Sequence, residues 1–501
     1  MTQARRPVVV LIVLGMCALY CAAASATPPS DDTSEWGDDD DDEFDESDVP
    51  VLTPTAAESS SPWSLTGNTR TRFGVWAERL DERPLAKARQ SLDLRLEMAR
   101  SMWLFRLEGH GEYDAAYQVD RDTYDQPTLD AYEWLIRSGE AFGRASPGNV
   151  QVTLGRQIIA WGEGDALSPL DIINPRDNRE PGLADLDDLR LPVLATRLAL
   201  FLGSHRLELV GVHESDFGLQ PSPRGPFSPF DAVLSAFEET DLGPLLSQKT
   251  FRLTHLQERF SLDQQEVFFR WVYRGKGIDV GFQAASLLDR QGVFAFPKPD
   301  DLLAGDTVDL AVDHRRYTTA GHSGAWVLDA FVLKWELGVD VKRAVNTGDL
   351  AAEIPEQVSA ADLAGLVPTV GVDEATLVNS MVAVTWSGIQ DLRLALEIGK
   401  GWMVDGPDNL AMPLTDPLIL VRASYQLMRE RLQLGAAASM VGWTANGGWL
   451  LRGEASYEVH DGLKVGLGYV TYQPGDDFGL LYGLNDHDRF FTWLRWDFRV
   501  L

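Results

Sequence analysis

Cysteine is nearly absent from this chain: Cys17 and Cys21 are the only two in 501 residues. Both fall in an N-terminal stretch where Arg5 and Arg6 precede an apolar run that ends in the small residues 24–26. This is the pattern of a secretory signal peptide. We therefore predict that residues 1–26 are removed on export, and that the exported chain has no disulfide and no cysteine-ligated metal.

Long apolar runs are missing from the rest of the chain. After residue 26 no stretch reaches the roughly 18 consecutive apolar residues that a membrane-spanning helix needs. An exported protein without such a helix is soluble, peripheral to a membrane, or inserted in it as a β-barrel. The spacing of the apolar residues has to decide between these classes.

Basic residues are too few to balance the acidic ones: 44 Lys and Arg face 75 Asp and Glu, and the formal net charge is −31. A chain this acidic is not expected to bind nucleic acid, because phosphate contacts need a basic surface. Much of the excess lies in residues 27–61, where twelve acidic residues occur between Asp31 and Asp48. Such a segment cannot bury enough apolar surface to fold, so we predict a disordered acidic periplasmic tail over residues 27–61.

Apolar side chains recur at every second position over much of residues 62–501. Residues 392–399, 419–427 and 494–500 show this most clearly. Successive side chains of a strand point to opposite faces, so each segment has one apolar and one polar face. Segments of about ten residues with this pattern are typical of transmembrane barrels that are apolar outside and polar inside. We predict an all-β fold for residues 62–501, a transmembrane antiparallel up-and-down β-barrel.

The predicted connections alternate between short and long. Short turns, for example near residues 101 and 276, are separated by long connections such as 159–188 and 214–263. Outer-membrane barrels have short periplasmic turns and longer extracellular loops. Strands assigned so that this parity never breaks number about 18, with 14 to 20 as alternatives and both termini periplasmic. The strand-like residues Phe251–Phe260 then belong to an extracellular loop.

One motif stands out between residues 153 and 181. It reads Gly155-Arg156-Gln157, then Trp161-Gly162-Glu163, then Asn174-Pro175-Arg176-Asp177. This pattern resembles the G-R-Q-x-x-x-W-G-E … N-P-x-D element of a large group of Gram-negative outer-membrane barrels, which is similar in pattern to alginate-export-type porins. The resemblance implies a barrel fold and a porin-like role, but no particular substrate. Barrels of that group commonly end in an aromatic residue that the assembly machinery reads, whereas this chain ends in Leu501.

The segment after the fifth predicted strand, Ile159–Asp188, is long and has no secondary-structure pattern of its own. Loops of this kind are usually functional. We predict that it folds into the barrel as a constriction in which Glu163, Asp165 and Asp171 face wall arginines, since opposed charges narrow a pore and set its ion preference. The candidate constriction residues are Arg156, Glu163, Asp165, Asp171, Asn174, Arg176 and Asp177. The candidate lumen-facing residues are Arg70, Arg72, Arg95, Arg106, Arg270, Arg393 and Arg422. The alternative is that Arg156, Asp171, Asn174 and Asp177 only pin the loop through caps and salt bridges.

An esterase is a further alternative, because Gly321-His322-Ser323-Gly324-Ala325 nearly matches the G-x-S-x-G nucleophile elbow. That elbow needs a strand-to-helix turn, whereas the following residues keep the strand pattern. The histidines are scattered, and no pair has the spacing of a zinc site. We therefore predict no catalytic residue, no metal and no cofactor.

Together these patterns predict a porin-like outer-membrane channel for the passive diffusion of small hydrophilic solutes. The inward arginines favour anions and the acidic total favours cations; charge at a constriction is less screened by salt than charge on outer loops, so we expect an anion preference. The expected partners are outer-membrane lipid or lipopolysaccharide, the barrel-assembly machinery and the solute, with the oligomeric state open. A non-conducting outer-membrane scaffold or adhesin is the alternative.

Overall fold

The computed structural model describes residues 61–80, 84–119, 121–182, 189–238, 243–295, 305–348, 371–411, 415–475 and 481–500. The predicted signal peptide, and the predicted acidic tail as far as residue 60, lie outside the described residues.

Strands make up most of the described chain, and helices are few and short. The strands are β1 (Trp63–Trp76), β2 (Leu85–Arg100), β3 (Trp103–Asp114), β4 (Trp134–Ala145), β5 (Val150–Gln157), β6 (Val193–Leu202), β7 (His205–Val212), β8 (Thr250–His255), β9 (Glu266–Gly275), β10 (Ile278–Leu288), β11 (Val293–Ala295), β12 (Thr307–Asp313), β13 (Arg316–Leu328), β14 (Phe331–Thr347), β15 (Gly371–Ile389), β16 (Leu392–Asp405), β17 (Leu418–Leu427), β18 (Leu432–Val441), β19 (Gly448–His460), β20 (Leu463–Pro474) and β21 (Arg489–Arg499). The α-helices are α1 (Gln126–Tyr132), α2 (Pro229–Glu238) and α3 (Gly243–Leu246).

Eighteen of these strands form one closed antiparallel barrel within the described residues. Each pairs with the next barrel strand along the chain; β7 pairs with β9, and β10 with β13. The ring closes between β1 and β21, where Thr66 lies opposite Arg499 and Trp76 opposite Arg489. The predicted all-β barrel and its strand number are confirmed.

The two ends of the barrel differ in the length of their connections. At one end, here called the turn end, most hairpins need only two residues, and Gly203, Gly277 and Gly462 supply the positive φ (60°, 75° and 75°) that such turns require. At the other, here called the loop end, connections such as 158–192 and 213–265 join the strands. The start of β1 and the end of β21 lie at the turn end. The predicted alternation of short and long connections is confirmed.

The strand faces are apolar outside and polar inside. On β14, Phe331 and Leu337 are 48% and 37% exposed, whereas the intervening Lys334 and Glu336 are 8% and 2% exposed. This is the arrangement of a barrel that touches acyl chains on its outer face. No helix in the described part of the chain is long and apolar enough to cross a membrane.

A small second sheet lies at the loop end. β8 pairs in parallel with β12, which pairs antiparallel with β11, so none of the three belongs to the barrel ring. The residues Phe251–Phe260 therefore lie in a loop-end connection, as predicted. The pairing of β8 with residues 307–312 was not predicted, because the short strands carry no signal of their distant partners.

Candidate functional site: a loop across the barrel lumen

The described residues 158–182 and 189–192, here called the lumen loop, connect β5 to β6, and the loop crosses the interior of the barrel. One carboxylate on the far wall, that of Glu336 on β14, receives four hydrogen bonds from the loop. Its Oε1 accepts from the backbone N–H of Glu163 (2.6 Å) and Gly164 (2.9 Å), and its Oε2 from Ser168 Oγ (2.8 Å) and the N–H of Leu170 (3.0 Å). β14 is the sixth barrel strand from β5, so these contacts span the lumen.

A second wall carboxylate holds the next turn of the loop. Glu397 Oε2 on β16 accepts from the N–H of Ala166 (3.1 Å) and Leu167 (3.0 Å). Asp165 forms an ion pair with Lys334 (3.1 Å) and contacts Arg422 on β17. β17 is the ninth strand from β5 in a ring of eighteen, and therefore lies diametrically opposite.

Residues 176–182, here called the returning limb of the loop, are anchored on another part of the wall. Glu180 pairs with Arg89 on β2 (2.7 Å) and with Lys87, and the backbone carbonyl of Pro181 accepts a hydrogen bond from Tyr472 on β20 (2.7 Å). Burial raises the pKa of the Glu180 carboxyl, but Arg89 and Lys87 outweigh burial and hold this pKa well below its usual range. The lumen loop is thus bound on both sides of the barrel.

An apolar cluster fixes residues 158–175, here called the first limb, against the barrel strands β6, β7, β9, β10 and β13. Trp161 and Ile173 are 1% and 0% exposed and pack with wall residues of these strands, among them Phe268 and Leu287. The Trp161 ring meets Phe268 edge-on at 6.3 Å, and its Nε1 donates to Glu208 (3.2 Å). This cluster fills the space between the loop and that side of the wall.

The motif residues divide into two groups. Asn174 accepts from the N–H of Ile159 (2.7 Å) and donates to the carbonyls of Gln157 (3.2 Å) and Leu191 (2.8 Å), which joins the two ends of the loop. Arg156 pairs with Glu214. Asp177 pairs with Arg179 (2.7 Å). These contacts hold the base of the loop.

Glu163 and Asp165 instead reach the wall. Glu163 accepts from Arg270 on β9 (3.0 Å) and from Ser323 on β13 (3.2 Å). Asp171 does not face a wall arginine as predicted: it pairs with Arg176 and Arg190, both in the loop, at 2.9 Å each. The Asp171 side chain is short and pairs with arginines of the same loop, and it therefore does not extend to the wall.

The predicted wall arginines also differ in their surroundings. Arg270 and Arg422 contact the lumen loop, as described above. Arg95 and Arg106 pair with the wall carboxylates Glu108 (2.6 Å) and Glu140 (2.7 Å) instead. Arg393 lies on β16 opposite Ser424, and Arg70 and Arg72 lie in the pocket described next.

A pocket of about 90 Å³ lies between the returning limb and strands β1–β4. Five arginines, one histidine and four carboxylates line it: Arg70, Arg72, Arg89, Arg137, Arg179, His110, Asp93, Glu112, Asp177 and Glu180. Only Arg70, Arg72 and Asp177 were predicted as site residues. The alternation of β2, β3 and β4 could have indicated Arg89, His110, Glu112 and Arg137 as inward-facing, whereas nothing local predicts the position of Arg179 or Glu180.

The sequence comparisons place the chain in a family. Residues 78–498 match the family described as "Protein of unknown function (DUF1302)". The chain belongs to the DUF1302 family. Comparison with curated proteins gives no match.

Among solved structures, this DUF1302 chain is similar to the following three, among others. OccAB1 of Acinetobacter baumannii has a TM-score of 0.48 at 10% identity, covering 88% of this chain and 97% of that one. OccAB3 of the same organism has a TM-score of 0.47 at 9% identity, covering 87% and 99%. OccK2 (OpdF) of Pseudomonas aeruginosa in complex with glucuronate has a TM-score of 0.46 at 11% identity, covering 88% and 98%. The resemblance to alginate-export-type porins stays a prediction.

The near-match to a nucleophile elbow does not form an elbow in this DUF1302 chain. Ser323 lies in the middle of β13 and faces the lumen, where it donates to Glu163. His322, the preceding residue of the strand, points to the lipid-facing side and lies 5.9 Å from the Phe282 ring. Among the described residues, no group of three or more His, Cys, Asp or Glu side chains is placed to hold a metal ion.

Proposed function

We propose that the chain is an outer-membrane channel for the passive diffusion of small hydrophilic solutes, with anions preferred and the lumen loop as its constriction. The observation that carries this is the anchorage of one loop on opposite walls, through Glu336 and Glu397 on one limb and Arg89 and Tyr472 on the other. A barrel of eighteen strands is too wide for wall side chains alone to fill. A loop fixed across its lumen divides that space and leaves a narrower passage.

The passage in this proposal follows the β20, β21 and β1–β4 side of the barrel. The apolar cluster around Trp161 occupies the opposite side, between the loop and the barrel strands from β6 to β13. The pocket lined by Arg72, Arg89, Arg137 and Arg179 lies on the proposed passage. Guanidinium groups at a constriction lower the energy of an anion there, and low screening inside a narrow lumen strengthens the effect.

The proposed location is the outer membrane, reached through the predicted signal peptide. The lipid-facing apolar rows and the short turns at one end support it. Outer-membrane lipid or lipopolysaccharide and the barrel-assembly machinery are the partners that this location implies.

A non-conducting scaffold is the second candidate, because aromatic and aliphatic side chains close part of the loop end. Trp76, Tyr132, Phe227 and Leu481 are at most 7% exposed and form one cluster there. Liposome swelling separates the two functions. Correctly inserted protein that admits neither ions nor small sugars would favour the scaffold.

The channel is tested by its reversal potential in planar bilayers under a tenfold KCl gradient. We expect chloride to be more permeant than potassium, and Arg72→Gln with Arg137→Gln to reduce that preference. The control is Arg252→Gln with Arg315→Gln, which also removes two positive charges, from exposed arginines that pair with Asp309 and Asp313 at the loop end. A cation-selective channel, or equal selectivity in the lumen variant and the control, would contradict the proposal.

A further inference from the structure

One arginine of the pocket between the returning limb and β1–β4 differs from the others in its surroundings. Most of the pocket arginines already have partners in the protein: Arg70, Arg72, Arg89 and Arg179. Arg137 on β4 forms no ion pair with a described residue, and its buried Nε has no hydrogen-bond partner among them. A buried donor without an acceptor is costly, so Arg137 is the guanidinium that a ligand in this pocket would satisfy.

Arg137 ends a row of inward polar residues that crosses four neighbouring strands. Asn68 on β1 lies directly opposite Asp93 on β2. His110 on β3 lies between Asp93 and Arg137 in the same row. The Asp93 Oδ1 pairs with His110 Nδ1 (2.6 Å), and the side chain stays 43% exposed, so its second oxygen can accept a further hydrogen bond. The buried Oδ1 of Asn68 has no hydrogen-bond partner in the described part of the chain.

The row therefore offers a guanidinium at one end and acceptor oxygens at the other. A carboxylate pairs with a guanidinium through charge-assisted hydrogen bonds. A hydroxyl group of the same molecule can donate to Asp93 or Asn68, whereas a methyl group in its place leaves these acceptors unpaired. The pocket of about 90 Å³ is smaller than the roughly 150 Å³ cavity that holds one benzene molecule, so it takes a group of fewer than about six non-hydrogen atoms.

We propose that this pocket binds small hydroxycarboxylates, with Arg137 as the carboxylate-binding residue and Asp93 as the residue that distinguishes a hydroxyl from a methyl group. Acids of this class would bind here on their way along the proposed passage, so the role of the site in transport rests on the channel function proposed above. Binding itself does not require conduction and can be measured on the folded protein alone.

The first test compares glycolate with propionate, using saturation-transfer NMR of the full chain in detergent micelles. The two anions have the same charge and the same number of non-hydrogen atoms, and they differ in a hydroxyl against a methyl group. We expect glycolate to bind at least about tenfold more tightly, because propionate leaves an acceptor of the pocket unpaired. Equal binding of the two anions, or no binding of glycolate, would overturn the proposal.

Substitutions in the pocket assign the two roles. Arg137→Gln should weaken glycolate binding at least about tenfold, since it removes the charge-assisted hydrogen bonds. Asp93→Ala should keep the binding of both anions but bring the preference for glycolate toward one; an unchanged preference would refute the role of Asp93. The matched control is Arg431→Gln, which removes the same charge at the turn end, where Arg431 donates to the carbonyl of Val459 (3.2 Å). Equal losses in Arg137→Gln and Arg431→Gln would contradict binding in the pocket.

Two further measurements keep this site and the channel separately testable. Heat-modifiable gel mobility shows which variants fold, and Arg137→Lys replaces Arg137→Gln if the latter does not. Lysine keeps the charge but lacks the planar pair of donors, so Arg137→Lys should still weaken glycolate binding several-fold. Planar-bilayer conductance is recorded on the same samples. Glycolate binding without conduction would support the site and refute the channel, whereas conduction without glycolate binding would refute the site.

Discussion

Single residues of the motif serve two different purposes. Asn174 joins the ends of the lumen loop through three hydrogen bonds, and Arg156 attaches its base to Glu214. Glu163 and Asp165 form charged contacts with β9, β14 and β17 instead. The motif therefore combines pinning residues with residues that cross the lumen, and the two interpretations drawn from the sequence each describe part of it.

His314 carries a pH prediction at the loop end. Its Nδ1 lies 2.6 Å from the carbonyl oxygen of Asp289, its Nε2 lies 2.9 Å from His255 Nδ1, and its ring stacks on Phe217 at 3.4 Å. Burial lowers the pKa of His314 from 6.5 to about 4, although the Asp289 carbonyl opposes this. The pKa of His314 is lower in the folded protein than in the unfolded chain. The neutral imidazole therefore contributes its full stabilisation of the fold above about pH 6.5, and this contribution is lost as the pH falls toward 4.

We therefore expect the small sheet of β8, β11 and β12 to open in acid. Protonation of His314 lowers the free energy of unfolding by at most about 3 kcal/mol, since each pKa unit corresponds to about 1.4 kcal/mol. Hydrogen exchange of residues 307–313 at pH 7.5 and pH 4.5 measures it. His314→Gln cannot take up a proton there, so its exchange should depend less on pH; an equal dependence in both proteins would rule out His314 as the cause.

At the level of elements, alternation predicted the strands but not the course of the lumen loop. The outward and inward rows of β14 and β16 follow from the alternation of apolar and polar residues, which can be recognised within about ten consecutive residues of a strand. The contacts of the loop join Glu163 to Glu336 and Ala166 to Glu397, and no local pattern records such distant pairs. For the same reason Asp171 was expected at the wall and lies within the loop.

The hold of β14 on the lumen loop depends on both oxygens of Glu336. In Glu336→Gln one carboxylate oxygen is replaced by an NH₂ group. An NH₂ group cannot accept hydrogen bonds, so the loop donors that face it lose their acceptor, and each unsatisfied donor costs about 1–3 kcal/mol. We expect residues 163–170 to detach from β14 and the single-channel conductance to rise. Planar-bilayer recording measures the conductance, and hydrogen exchange of residues 163–170 reports the detachment.

Glu97→Gln is the matched control for this substitution. Glu97 also faces the lumen, but it pairs with Arg106 on β3 (3.0 Å) rather than with the loop. Its conductance should stay close to that of the unaltered protein. If residues 163–170 of the Glu336 variant exchange faster while its conductance is unchanged, the lumen loop does not limit the passage.

For the whole molecule, the sidedness of the barrel was predictable because water and acyl chains select opposite residues on alternate positions. Leu396 in the middle of β16 is 40% exposed on the outer face. Leu396→Arg places a charge against acyl chains and should lower the free energy of unfolding by about 2–4 kcal/mol. Urea titration of the protein in lipid bilayers measures this.

Two further variants show whether the loss of stability in Leu396→Arg comes from contact of the charge with lipid. Leu396→Met keeps the side chain apolar and similar in volume, and should cost less than about 1.5 kcal/mol. Gln433→Arg places the same charge on the inward face of β18 and should cost little. A cost for Gln433→Arg as large as that for Leu396→Arg would contradict the assigned faces.

The position of the lumen loop in the chain also constrains the order of assembly. The backbone donor of Glu163 precedes its acceptor Glu336 by 173 positions in the chain, and that of Ala166 precedes its acceptor Glu397 by 231. These bonds cannot form before β14 and β16 have joined the growing sheet. A half-built barrel therefore holds an unattached loop, and the crossing of its interior is completed late in the maturation of the protein.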